Sequence, residues 1–308
     1  MDLKSIYLNK EFGFWVVLPH LYGRRRIFSL IKERSLLPFD EVPRDFEHGE
    51  LIADKGQYET LVHSAIEEMN KGKIHKLVTS RKVPLKFDWQ ECQHIWDEWT
   101  EKFDNAFLFC IHHPRWGFWM GASPELLVYR KDEQIKTMAL AGSKDVKDHS
   151  QWTDKEFQEH QVVVDMITDT LKKVEVHNIH LEDIQEMEYR QVKHLYTAIS
   201  GHYSGSWEVL VREMHPTPAL CGWPIKESKE WLYQNEGYNR GLYGGVLQFS
   251  EGDEDWAIVL LRCIQITDDY GFGYVGGGIM PNSIPENEWN ETMWKLKAFI
   301  FANDENHQ

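Results

Sequence analysis

Five separated segments of this 308-residue chain carry residue types that can act together: KLVTSR at 76–81, GASPELL at 121–127, ALAGSKD at 139–145, HPTPALCG at 215–222 and GGGIMPNSIPENEWNETMWK at 276–295. Lys76 lies on an expected strand, and a buried lysine can serve as a base near neutrality. Glu125, in SPELL, can supply the opposing acid. Two acidic helices add carboxylates: Glu159 in TDKEFQEHQVVVDMI, and Glu288 and Glu291, with Lys295, along one side of SIPENEWNETMWK. Taken singly, each is an ordinary solvated helix face held by i,i+4 pairing. Carboxylates from two helices nevertheless suit Mg²⁺, which takes oxygen ligands and keeps waters; spacing alone leaves Mg²⁺ and Mn²⁺ equivalent.

Glycines in GYVGGGIM (273–280) and LAGS (140–143) let backbone amides approach a ligand, or simply make turns. Arg262, inside VLLRCIQI, needs an anionic partner, either a ligand carboxylate or an internal acid. His194 and His215 are hydrogen-bonding or structural histidines. Together these residues can hold a small, doubly charged acid against a hard metal ion. GxxxxGK[ST] is absent, which sets aside a phosphate loop; GFGYVG at 271–276 has the GxGxxG spacing but falls inside the strand expected there instead of opening a helix, so it does not read as a dinucleotide site.

The elements that must position these residues alternate irregularly. A strand is expected at 12–18, a connection at 31–50 and a helix at 56–70 with Tyr58, Leu61, Val62 and Ile66 on one face. Strands follow at 75–80, 105–111, 116–120, 125–130 and 135–140. Thr153 and Glu156 form a capping box, opening a helix with Phe157, Val164, Ile167 and Leu171 on one face. A second helix is expected over 186–199, and another from Pro224 to 236. Strands at 242–249, 256–267 and 270–276 precede a final helix, capped by Ser283 and Glu286 and reaching 301. Neighbouring groups of strands argue against a doubly wound sheet and for an α+β fold of antiparallel sheets covered by helices. No boundary divides residues 1–308, so one domain is expected.

A hydrophobic content of 42% supports a sizeable core, and a formal charge of −15 argues against a nucleic-acid surface. No stretch approaches a membrane span, and charges interrupt the N-terminal apolar run where a signal peptide would need continuity. Cys92, Cys110, Cys221 and Cys263 are scattered and read as free thiols. A cytoplasmic protein is expected.

The segments HPTPALCGWPIKESKEWLYQNEGYNRGLYGG and GGGIMPNSIPENEWNETMWK resemble the chorismate-binding enzymes, within them the isochorismate synthases; the similarity runs from about residue 74 to 301. The resemblance implies a four-layer α/β/β/α core of largely antiparallel sheets, as in anthranilate synthase component I, with chorismate as substrate and Mg²⁺ as cofactor. It implies Lys76 as the base that activates water for attack at ring C2, and Glu125 as the acid that protonates the departing C4 hydroxyl. Glu159 and Glu291 match the metal ligands, with Glu288 behind them. Gly142, Ser143, His194, Ala219, Leu220, Tyr243, Arg262, Gly277, Gly278 and Lys295 match substrate-pocket positions. Ala141 replaces the nucleophilic lysine of aminodeoxychorismate synthases, and Lys76 distinguishes the chain from anthranilate synthases. Salicylate synthase, which also eliminates pyruvate, is the nearest alternative; anthranilate synthase component I and a non-catalytic ligand-binding subunit are further ones. Menaquinone and siderophore subtypes are both compatible. Residues 1–70 resemble the family least and read as a shortened, divergent part. No glutaminase partner is expected, and a monomer is expected, with a homodimer as the alternative.

Overall fold

The computed structural model describes residues 3–4, 12–30, 32, 35–39, 54–85, 89–190, 192–266 and 271–300. One antiparallel sheet contains β1 (Gly13–Val17), β2 (Arg26–Leu30), β4 (Lys76–Leu85), β5 (Phe107–His113), β6 (Gly117–Ser123), β12 (Gly222–Trp223), β15 (Cys263–Ile266) and β16 (Gly271–Ile279). Its order is β12-β4-β16-β15-β6-β5-β1-β2. The other contains β3 (Leu36–Leu37), β7 (Leu126–Lys131), β8 (Gln134–Asp145), β9 (His177–Leu181), β10 (Gln185–Tyr189), β11 (Val192–His202), β13 (Val246–Glu251) and β14 (Glu254–Val259). Its order is β10-β11-β8-β7-β14-β13-β3, with β9 also paired to β11. The helices are α1 (Lys55–Asn70), α2 (Trp89–Lys102), α3 (Asp154–Lys173), α4 (Trp207–Met214), α5 (Ile225–Asn235) and α6 (Pro285–Ile300).

Strand periodicity builds the layers. Phe107, Phe109 and Ile111 of β5 enter the apolar cluster between the sheets, while Leu108 and Cys110 enter a second cluster with Ile95, Trp96 and Trp99 of α2. A period of two with both faces apolar is what a strand covered on both sides requires. Across the interface Phe14 meets Phe249 with ring centroids 5.6 Å apart. Helices α1 and α6 pack against β4 and β16, and α3 packs on β8 and β11, so the α/β/β/α order expected from the resemblance is present.

Helix α3 starts where the capping box predicts, the Thr153 amide donating to Glu156 Oε2 at 2.8 Å. Its buried residues His160, Val163, Val164, Ile167 and Leu171 recur at helical spacing, whereas Phe157, expected on that face, is exposed. Each fully buried Val, Ile or Leu contributes roughly 1.5–3 kcal/mol before the entropy of ordering is subtracted.

Three expectations are corrected. The helix expected at 186–199 is the β10–β11 hairpin: Arg190 turns the chain at φ 54°, and burial then alternates from Leu195 to Gly201. Pairing with β8 overrides the helix-forming residues of that stretch. The strand expected at 256–267 is two strands, β14 and β15, in different sheets. Ser283 and Glu286 do not act as a cap: the Ser283 hydroxyl accepts from the Met280 amide at 3.0 Å, and Glu286 pairs with Lys55 at 2.8 Å. Most of the connection expected over 31–50, and residues 267, 270 and 301 of the expected strands and final helix, lie outside the described residues. No helix among the described residues is long and apolar enough to cross a membrane.

Candidate active site

Two points where the chain passes from one sheet to the other frame the site. Pro124 and Glu125 link β6 to β7, and Leu260 to Arg262 link β14 to β15. The crossings are tied together, the Val259 amide donating to Glu125 O and the Ala122 amide to Arg262 O, each at 3.1 Å. Arg262 has φ 47°, so its side chain leaves the sheet plane at the crossing. Glu125 and Arg262 line one cavity with Lys76, Glu159 and Lys295.

Burial raises the Glu125 carboxyl to about 7, against the opposing effects of the Thr217 hydroxyl and of Lys76, Lys295 and Arg262. Such a group can release a proton near neutrality. Lys76, the first residue of β4, is 1% exposed, and its Nζ lies 3.0 Å from Glu159 Oε1. Burial alone would raise the Glu159 carboxyl; Lys76, then Lys155 and Lys295, outweigh it and hold the carboxyl below its ordinary value.

Gly277 and Gly278 explain why β16 carries no side chains here. A Cβ on Gly278 would run into Glu159 and lie 3.1 Å from Lys76 Cε; one on Gly277 would lie 3.5 Å from Glu291 Oε1 and 3.7 Å from Glu288 Oε2. Glu291 and Glu288 therefore stand behind Gly277 rather than among the cavity-lining residues. Lys295 bonds Glu291 at 2.7 Å and the Gly276 carbonyl at 3.0 Å. Lys155 reaches across from α3 to Glu288 Oε1 at 2.8 Å. Burial and the neighbouring Glu291 raise Glu288 to about 7, despite Lys155 and Ser283.

On the opposite wall, β8 bulges at Gly142. His194 pairs with Ser143 and Leu195 with Ala141, leaving Gly142 extra at φ 74°. The Gly142 carbonyl thus reaches His194 Nδ1 at 3.1 Å, as does the Ser143 hydroxyl. His194 Nε2 lies 2.7 Å from Arg262 Nη2, which can only donate, so Nε2 accepts and Nδ1 carries the proton. Burial, with Arg262 and Lys295 nearby, keeps this ring neutral by lowering its pKa well below 6.5.

Ala219, Leu220 and Tyr243 also line the cavity. All the substrate-pocket candidates thus gather at one cavity. His215 does not; its Nε2 pairs with the Gly244 carbonyl at 2.7 Å and it lines a separate groove. Sequence reasoning missed Lys155, and also Arg240, which donates to Leu220 O at 2.8 Å, Val78 O at 2.6 Å and Glu236 Oε2 at 2.7 Å. Glu236 also accepts from the Ser80 amide, so one buried pair ties β4 to the Ala219–Leu220 wall. The four-residue spacing of Glu236 and Arg240 was the available signal.

Among the described residues no three His, Cys, Asp or Glu side chains converge as a ready-made metal centre. The donors available at Glu159 and Glu291 are hard carboxylate oxygens beside adjacent glycines, and Glu288 Oε2 is buried without a hydrogen-bond partner among the described residues. That chemistry fits Mg²⁺, whose shell commonly includes water and substrate oxygens.

Two antiparallel sheets, flanked by helices and crossed twice at a cavity of acids, lysines and glycines, define an anthranilate synthase component I-like α+β protein. The family model described as chorismate binding enzyme matches residues 27–302, and the chain belongs to that family. It is 31% identical over 328 residues to isochorismate synthase DhbC of Bacillus subtilis (strain 168), covering 91% of this chain and 80% of that one. It is 29% identical over 265 residues to the salicylate biosynthesis isochorismate synthase of Pseudomonas aeruginosa, covering 80% of this chain and 54% of that one. The chain thus spans about half the length of curated relatives such as the Pseudomonas protein. The solved structure of DhbC from Bacillus anthracis is similar at a TM-score of 0.74 and 25% identity, covering 97% of this chain and 85% of that one. Anthranilate synthase component I from Streptococcus pneumoniae shares the fold at a TM-score of 0.70 and 19% identity, over 85% of this chain and 60% of that one.

Proposed function

We propose that this chain is an Mg²⁺-dependent isochorismate synthase. The observation that carries the reading is that Lys76 and Glu125 line one cavity, with Glu125 raised to about 7. Lys76, once it has given up its ammonium proton, takes a proton from water as the new C2–O bond forms. The ring double bonds shift, the C4–O bond breaks, and Glu125 gives its proton to the departing hydroxyl. One water enters and one leaves, so the net reaction is an isomerisation. Arg262, backed by neutral His194, meets a substrate carboxylate; the glycine backbone of β16 leaves room for the ring. Glu159 and Glu291 would hold Mg²⁺, with Glu288 behind them; when bound, the cation neutralises a carboxylate placed beside these acids.

Incubating the purified chain with chorismate and Mg²⁺, then resolving products by chromatography, tests the reading. Isochorismate is the expected product. Salicylate with pyruvate would move the chain to the salicylate synthases. Anthranilate formed only with added ammonia would show that Lys76 does not select water. Binding without turnover would make it a ligand-binding subunit.

A further inference from the structure

Tyr189, the last residue of β10, is 2% exposed and does not line the cavity. Its ring packs against Phe103 with centroids 5.1 Å apart, and the Arg262 guanidinium lies 3.8 Å from the ring centroid. The Tyr189 hydroxyl donates to Ala122 O at 2.6 Å, and the Ala122 amide donates to Arg262 O at 3.1 Å. One residue of β6 therefore anchors both the ring and the backbone of the arginine that rests on it. Arg262 Nη2 is held by His194, while Nη1 is buried without a hydrogen-bond partner among the described residues. With its plane on an aromatic ring and Nη2 engaged, the guanidinium keeps Nη1 available to meet a ligand.

We infer that Tyr189 is a positioning residue: its ring, fixed in the apolar layer beneath α2, sets the plane in which Arg262 presents its free nitrogen to the substrate carboxylate. A cation above a ring face is attracted by the ring quadrupole, more strongly when both are desolvated. Stacking also spares the arginine the entropy of being ordered when the ligand arrives. The inference rests on the proposed role of Arg262, and Tyr189 acts only through that side chain.

Two arms test it. In the kinetic arm, Tyr189→Leu should raise KM for chorismate about tenfold with kcat within about threefold, the size expected for loss of a desolvated cation–π contact. Tyr189→Phe keeps the ring and should stay within about twofold of wild-type KM. In an Arg262→Met background, Tyr189→Leu should add nothing further to KM, since the pair acts as a unit. A fall in kcat at constant KM, an undiminished effect in the Arg262→Met background, or a phenylalanine variant as impaired as the leucine variant would overturn the inference. Tyr189→Met repeats the test should the leucine variant not fold. In the structural arm, a crystal structure of the Leu or Met variant should show Arg262 displaced from His194 Nε2; an unmoved guanidinium would overturn the inference whatever the substrate. Absence of any turnover by the wild type would instead sink the proposed function.

Discussion

Lys76 and Glu159 form a buried ion pair, Nζ to Oε1 at 3.0 Å, between the first residue of β4 and the second turn of α3. Two further pairs repeat the arrangement, Lys295 with Glu291 at 2.7 Å and Lys155 with Glu288 at 2.8 Å. Each carboxylate of the proposed metal site thus has its own lysine, which balances charge in a pocket where an isolated carboxylate would be costly.

Lys76→Ala should lower kcat by about 10²–10⁴, the usual loss for a positioned general base, with smaller change in KM. It should also alter acid stability. Glu159 is held below its ordinary 4.5, so its contribution is fully present above that value and lost as pH falls through the lower folded value. Thermal midpoints from pH 3 to 6 should show a weaker acid-induced loss in Lys76→Ala. Near-normal turnover in this variant would remove Lys76 from water activation.

Glu125 titrates in the opposite sense. Its folded value of about 7 exceeds the ordinary 4.5, so folding binds an extra proton between the two and stability falls as pH rises across that interval. Glu125→Gln should therefore raise the thermal midpoint more at pH 8 than at pH 4. The wild-type rate should decline as pH rises through about 7, and the residual rate of the variant should lack that limb. An unchanged alkaline limb in the variant would assign the acid elsewhere.

Metal dependence separates the acids from the base. Chelation should abolish turnover and added Mg²⁺ restore it. Glu291→Ala should weaken Mg²⁺ and chorismate binding together, as seen by calorimetry as well as by rate. Full activity in the presence of a chelator would exclude Mg²⁺ from the reaction.

Neighbouring glycines should respond differently. A methyl group on Gly278 meets the ends of Glu159 and Lys76, which can swing away, so Gly278→Ala should fold but lose about 10²-fold or more in kcat through the displaced base. On Gly277 it meets Glu291 at 3.5 Å, an ordinary contact, and Gly277→Ala should keep its thermal midpoint and most of its activity. Circular dichroism and steady-state rates on both variants check the contrast, and equal losses would refute it.

Residue types and local periodicity determine much of this protein by themselves. The Thr153–Glu156 capping box, the α1 stripe through Tyr58, Leu61 and Val62, and the glycine run of β16 all depend on neighbours within a few positions, where sequence carries the physics directly. The segment match added the family, and with it the site residues that no local pattern distinguishes from solvated helix faces.

Only the tertiary structure decided the rest. Helix-forming residues at 186–199 became β10 and β11 because β8 offered a hydrogen-bonding edge and burial on alternate positions. The run 256–267 was broken because β14 belongs to one sheet and β15 to the other, and that break is what turns Arg262 toward Glu125, Lys76 and His194. The Lys76–Glu159 and Lys155–Glu288 pairs join elements far apart in the chain. Spacing along a helix or strand cannot specify such pairs, because their distances are set by how sheets and helices pack, and packing is a property of the whole chain.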